Sequence, residues 1–157
     1  MENCALVWKR VGVVMLIVPL MGSLVNFKAV TDMPKDYGKD NELHVLAEFL
    51  EEQELEYGYA TFWYSQSLTL IADSEVRVRC VNADSKNGVT PYYYQTNKTW
   101  YEDQDGVEKY FVALTNYESS IVSYNSEWKA LLEAHLVETY TCGNFKIFVF
   151  DVNIFTA

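Results

Sequence analysis

The chain has 157 residues, half of them apolar or aromatic, and its 22 acidic against 12 basic side chains give a formal charge of −10. So apolar a composition excludes a disordered chain, and so negative a balance excludes nucleic acid as a partner, because phosphate neutralisation needs clustered Lys and Arg. The same charge disfavours flat docking on anionic lipid.

The first predicted element is Val11 to Phe27, VGVVMLIVPLMGSLVNF, an uncharged run that opens on Lys9-Arg10. At about 1.5 Å per residue it spans roughly 25 Å, and Val7 and Trp8 with snorkelling Lys9 and Arg10 extend it towards the ~30 Å hydrocarbon core. This pattern predicts a flank over 1–10 and a transmembrane helix over 11–27. Pro19 and Gly22 are ordinary residues in membrane spans. A cleaved signal peptide is one alternative, although no A-x-A-like cleavage site follows the run, and a buried globular helix is another. Lys9 and Arg10 argue for an inside amino terminus, while Lys28, Lys35 and Lys39 pull the other way. Long domains translocate largely regardless of such charges, so the expected location is a single-pass cell-membrane protein with its carboxy-terminal domain outside.

Residues 28–40, KAVTDMPKDYGKD, read as a polar linker. The chain after the apolar run, about 130 residues, is long enough for one domain with a real core. That domain is assigned to residues 41–157. Asp40 or Asn41 caps a helix in which Leu43, Leu46, Ala47 and Leu50 recur at helical spacing, with an end near Leu55. Tyr57 to Thr61 is a short buried strand. Phe62 to Ala72 is read as helix with Trp63, Ser67, Leu70 and Ile71 on one face, although Leu68 to Ile71 also suits a strand. Glu75 to Val81 alternates Val76, Val78 and Cys80 with Arg77 and Arg79, the pattern of a half-buried strand. Asn82 to Lys109 is a long polar excursion rich in turn formers and aromatics. Tyr110 to Leu114 is a buried strand, Ser126 opens a helix carrying Trp128, Leu131, Leu132, His135 and Leu136 on one side, and Phe145 to Val152 is a final strand. Alternating helices and short apolar strands predict an α/β fold, one small layered domain with a mixed sheet after the N-terminal helix.

Glu48, Glu51, Glu52, Glu54 and Glu56 crowd one helix and its exit, a density that suits a solvated face better than paired acid–base catalysis. Glu102-Asp103-Gln104-Asp105-Gly106 resembles the front of a calcium loop, but its glycine falls one place early and the distal Glu is missing, so it reads as an acidic turn. No C-x-x-C occurs and His44 and His135 are isolated, so neither a metal site nor a cofactor is expected. Cys80 and Cys142 each close an apolar stretch. They are either a disulfide, if the domain is extracytoplasmic, or two buried free thiols. Asn97-Lys98-Thr99 matches the N-glycosylation pattern. Trp63, Tyr64, Tyr92, Tyr93, Tyr94 and Trp100 supply flat rings with apolar faces and polar edges, which suit stacking on sugars as well as core packing. No G-x-S-x-G, P-loop or dinucleotide fingerprint is present.

The blocks LEYGYATFW after an amphipathic helix, LTLIADSEVRV, PYYY, NKTWY, YFVALT and FKIFVFDVNI occur in this order. Together they resemble the carboxy-terminal extracytoplasmic domain, with the last membrane helix, of bacterial polytopic glycosyltransferases that use polyprenyl-phosphate sugars. These are similar to the dolichyl-phosphate-mannose mannosyltransferase type. The likeness runs from the apolar segment to the end of the chain, and GYATFW carries most of it. It implies an accessory or acceptor-binding domain whose partners are the lipid bilayer, a polytopic glycosyltransferase and a glycan or lipid-linked sugar. Such enzymes carry their catalytic acid between early membrane spans that this chain lacks. No catalytic residue therefore carries over, and no activity of its own is expected. The other readings are an independent single-pass surface protein with an acidic ligand- or protein-binding domain, and a hydrolase uniting His135 or His44 with an acid.

Overall fold

In the computed structural model, which describes residues 2–32, 38, 40–94 and 96–157, the chain divides into two compact units, Met1–Tyr37 and Gly38–Ala157. The first is a single helix, α1 (Glu2–Thr31), which continues through Pro19 and ends with Lys28 in its last turn. A cation there suits the negative end of the helix, which explains why helix persists past Phe27 into residues expected to be linker. The expected flank is helical too, from Glu2 onwards. Within α1, Val13–Thr31 has a mean hydropathy of 2.0 and is unburied, long and apolar enough to cross a membrane. The core helix of a soluble protein and a signal sequence pass the same test of length and composition. Residues 33–37 and 39 of the expected linker lie outside the described residues.

The second unit is a mixed α/β domain built on one six-stranded sheet. Its elements are α2 (Glu42–Glu52), β1 (Tyr57–Thr61), α3 (Phe62–Ile71), β2 (Arg77–Asp84), β3 (Gly88–Pro91), a 3-10 turn (Lys98–Tyr101), β4 (Tyr110–Thr115), α4 (Asn116–Val122), α5 (Ser126–His135), β5 (Leu136–Cys142) and β6 (Phe145–Phe150). The strand order is β3-β2-β1-β4-β6-β5. The central strands β2, β1 and β4 run parallel, and β3, β6 and β5 each join antiparallel to a neighbour.

Period-two alternation splits the sheet residues between two cores. On one face Ala60, Val78, Phe111, Ala113, Ile147 and Val149 meet Leu46 and Leu50 of α2 and Leu68 of α3. On the other, Tyr57, Tyr59, Tyr110, Val112, Leu114, Phe148 and Phe150 meet Val122 of α4 and Trp128 of α5. The domain is therefore three layers. Gly58 is glycine for a steric reason: a Cβ there would lie 2.5 Å from the Phe111 ring and 2.5 Å from the Phe111 carbonyl oxygen.

Asn41 caps α2, its side chain accepting from the Leu43 N–H at 3.0 Å. The strand expected over Glu75–Val81 runs instead over Arg77–Asp84, into the segment read as polar excursion, and turns back as β3. Asp84 Oδ1 accepts from the Lys86 and Asn87 N–H groups to close that hairpin, and these bonds, Asn87 first, hold its carboxyl below the usual range. Gly88 there has φ +70°, and a Cβ would meet Asn125 Oδ1 at 2.9 Å. Helix α4 lies where no element was expected, and β5 begins at Leu136, a residue expected in the preceding helix.

Candidate functional site

Strands β1 and β4 are parallel neighbours, yet each leads into a helix on a different face: α3 buries Leu68 in the first core and α4 buries Val122 in the second. Open α/β sheets bind ligands outside the carboxyl ends of their strands at such a switch point. Thr61 and Thr115 end the two strands and begin the two helices. Thr115 forms a capping box with Glu118, donating its hydroxyl to Oε2 at 2.9 Å while Oε2 also accepts the Thr115 N–H at 2.8 Å. The second oxygen, Oε1, accepts the Thr61 hydroxyl at 2.8 Å. Glu118 therefore clasps the carboxyl ends of β1 and β4 together.

Because its hydroxyl is committed to Glu118, Thr61 makes no side-chain cap on α3. A cap is worth about 1 kcal/mol, less than the roughly 2–3 kcal/mol gained by burying Leu68, so packing holds α3 in place. Its first residues, Phe62 and Trp63, project from the strand end, with Trp63 77 % exposed. Tyr92 and Tyr94 reach the same place from β3, since Pro91 pairs with Val81 and Val81 with Thr61. The four rings form a chain of contacts. Phe62 meets Trp63 edge-on at 5.5 Å and Tyr92 at 5.7 Å, and Tyr92 meets Tyr94 at 6.3 Å. Trp63 and Tyr94 keep most of their surface in solvent.

Three of the six predicted ring residues, Trp63, Tyr92 and Tyr94, thus converge, joined by Phe62, which sequence reasoning missed. Its signal was its place directly after the buried strand that ends at Thr61. The other three have separate surroundings. Tyr64 turns inward onto Phe145 at 5.1 Å, Tyr93 leans on Tyr101 at 5.6 Å, and Trp100 lies under the Arg79 guanidinium at 4.5 Å.

Trp63 and Leu70, expected to share one face of α3, are each 77 % exposed, and the buried residues of the helix are Ser65 and Leu68. With no charged residue in FWYSQSLTLI, nothing in the pattern marks which side meets water.

Cys80 and Cys142 are both free and buried. They sit on β2 and β5, with β1, β4 and β6 between them, roughly 19 Å apart at about 4.8 Å per strand and far beyond the ~7 Å reach of a disulfide. Burial pushes both thiols up from their ordinary value. His135 Nδ1 lies 3.2 Å from Asp151 Oδ1, the sole ion pair among the described residues. The Glu102–Gly106 turn is tied into the fold: the Gln104 N–H donates to Tyr110 Oη and the Thr156 hydroxyl donates to Asp103 Oδ1. Among the described residues no three His, Cys, Asp or Glu side chains gather as metal ligands.

A cavity of about 980 Å³ opens at the opposite, amino-terminal ends of the parallel strands. Glu51, Glu54, Glu56, Glu75 and Glu108 line it with Arg77 and Lys109. Its rim is open and mostly acidic, so for a sugar the exposed rings beside the switch point are the stronger site.

No protein family, curated protein or solved structure matches the chain.

Proposed function

We propose that this is a membrane-anchored accessory domain that holds the glycan or lipid-linked sugar of a polyprenyl-phosphate-sugar glycosyltransferase, without activity of its own. The observation that carries the proposal is the ring chain Phe62, Trp63, Tyr92 and Tyr94 at the carboxyl ends of β1 and β2, beside the β1–β4 switch point, with Trp63 and Tyr94 exposed. Flat faces with polar edges beside a switch point suit a sugar ring, which presents C–H groups to one side and hydroxyls around its rim. In this reading α1 spans the bilayer, places the domain outside and keeps it near a polytopic partner enzyme.

Glycan-array binding by the full chain in a polyoxyethylene ether detergent tests the proposal. Selective glycan binding is expected, and Trp63→Ala weakens it about tenfold, the value of one lost ring contact. Because Trp63 is so exposed, that variant's stability stays within about 0.5 kcal/mol of the parent. The absence of any glycan binding, or binding indifferent to Trp63→Ala, overturns the proposal. The acidic rim of the amino-end cavity favours a second reading, an independent single-pass surface protein whose domain binds a ligand or partner protein. That reading predicts no glycan binding.

A further inference from the structure

We infer that Arg77 and Arg79 form a binding site for a phosphodiester. The two side chains lie on the same face of β2, and their cross-strand partners on β1 are Tyr57 and Tyr59. Both guanidinium groups lie over aromatic rings. The Arg79 guanidinium lies 4.5 Å from the Trp100 ring centre and 5.7 Å from that of Tyr57, and the Arg77 guanidinium lies 5.3 Å from the Tyr57 ring. Tyr57 is fixed in turn, donating its hydroxyl to the Trp100 carbonyl oxygen at 2.8 Å. A ring contact does not use up a guanidinium's N–H donors. Of those donors, only Arg79 Nε has an acceptor among the described residues, the Tyr57 hydroxyl at 3.4 Å.

In a chain with 22 acidic residues, no described carboxylate comes within ion-pair distance of either arginine. The edge is open as well. Strand β3 pairs only with residues 81–84 of β2, so no strand covers Arg77 to Arg79 on that side. Two half-buried, pre-oriented forks with unused donors suit a tetrahedral oxyanion, which guanidinium binds in bidentate fashion. The charges nearby narrow the class further. Glu54, Glu56, Glu75 and Glu108 rim the cavity that Arg77 and Lys109 share, and they penalise a dianion more than a monoanion. A singly charged phosphodiester satisfies both demands.

This assignment rests on the glycan reading insofar as it takes the diester to be the one joining a sugar to its lipid. Isothermal titration of the full chain in a polyoxyethylene ether detergent tests it with three probes: glucosyl methyl phosphate, dimethyl phosphate, and dihexanoyl phosphatidylglycerol below its micelle concentration. Saturable binding of the glucosyl diester, stronger than that of dimethyl phosphate, is expected. Arg77→Gln and Arg79→Gln each weaken it about tenfold or more, and Arg79→Lys does not restore it because ammonium lacks the planar fork. Binding of the phosphatidylglycerol alone, with the same dependence on both arginines, supports the site and assigns its diester to a lipid headgroup. No saturable binding of any probe by the parent chain overturns the inference, as does binding indifferent to both Gln variants. Neutral-glycan binding without diester binding removes this inference and leaves the glycan reading standing; diester binding without glycan binding does the reverse.

Discussion

At Gly58 a single hydrogen atom decides how closely β1 and β4 approach. The atoms an alanine methyl would strike include the Phe111 carbonyl oxygen, which is pinned in the sheet and cannot swing aside like a side-chain tip. Gly58→Ala is expected to cost about 3 kcal/mol, the upper end for overpacking, read as a lower urea midpoint at unchanged slope. The buried class of this position is legible in YGYAT, an unbroken apolar strand, but the clash is not, because Phe111 lies far along the chain. Trp63 and Leu70 show the complementary limit. Their helical spacing is plain in the sequence, whereas their outward direction depends on what β1 and β2 present beneath α3. The convergence of Trp63 with Tyr92 and Tyr94 is likewise invisible until the β2–β3 hairpin brings the tyrosines back beside Thr61. Tyrosine density marked the segment as special without saying which ring faced where.

Among the elements, legibility follows burial. The strands at Tyr57–Thr61, Tyr110–Thr115 and Phe145–Phe150 are legible because they are almost wholly buried and rich in apolar residues, Lys146 being their one exposed residue. The edge strand β5, LVETYTC, is mostly exposed and carries an irregular register between Leu136 and Glu138, so it shows no alternation to detect. Helix α4 is only seven residues long, too short for a periodic signal, and owes its start to the capping box. Its sequence signature, Thr115 followed three residues later by Glu118, was present but went unread. The clasp formed by Glu118 gives a testable consequence at this scale. Removing it deprives the buried Thr61 hydroxyl and the Thr115 cap of their shared acceptor, so Glu118→Ala is expected to cost about 2 kcal/mol. In a double-mutant cycle with Thr61→Ala the two losses fall short of additivity by about 1 kcal/mol, whereas independent sites would simply add.

Across the whole molecule, the second core buries four tyrosines, Tyr57, Tyr59, Tyr101 and Tyr110. Tyr59 donates to Asn153 at 2.9 Å and Tyr101 to the Cys80 carbonyl oxygen at 2.6 Å. Burial pushes the phenols of Tyr57, Tyr59 and Tyr101 above their ordinary value of 10.0, and for Tyr57 the neighbouring Arg79 only partly opposes this. The unfolded chain releases these protons near that ordinary value while the folded domain retains them. Stability is therefore complete below it and declines as the pH climbs beyond. Urea unfolding between about pH 9 and about pH 11 should show a falling midpoint, and Tyr59→Phe should flatten the decline; a midpoint constant over that range would contradict it. The layered α/β class and the apolar leading helix were legible from alternation and composition alone. The strand order was not, because it depends on which edges meet after long excursions of the chain. The buried, separate thiols of Cys80 and Cys142 carry a last consequence. With no covalent staple between them, folding of this domain does not call for an oxidising compartment, so a reporter fused to it can map its sidedness without a change in redox conditions disturbing its assembly.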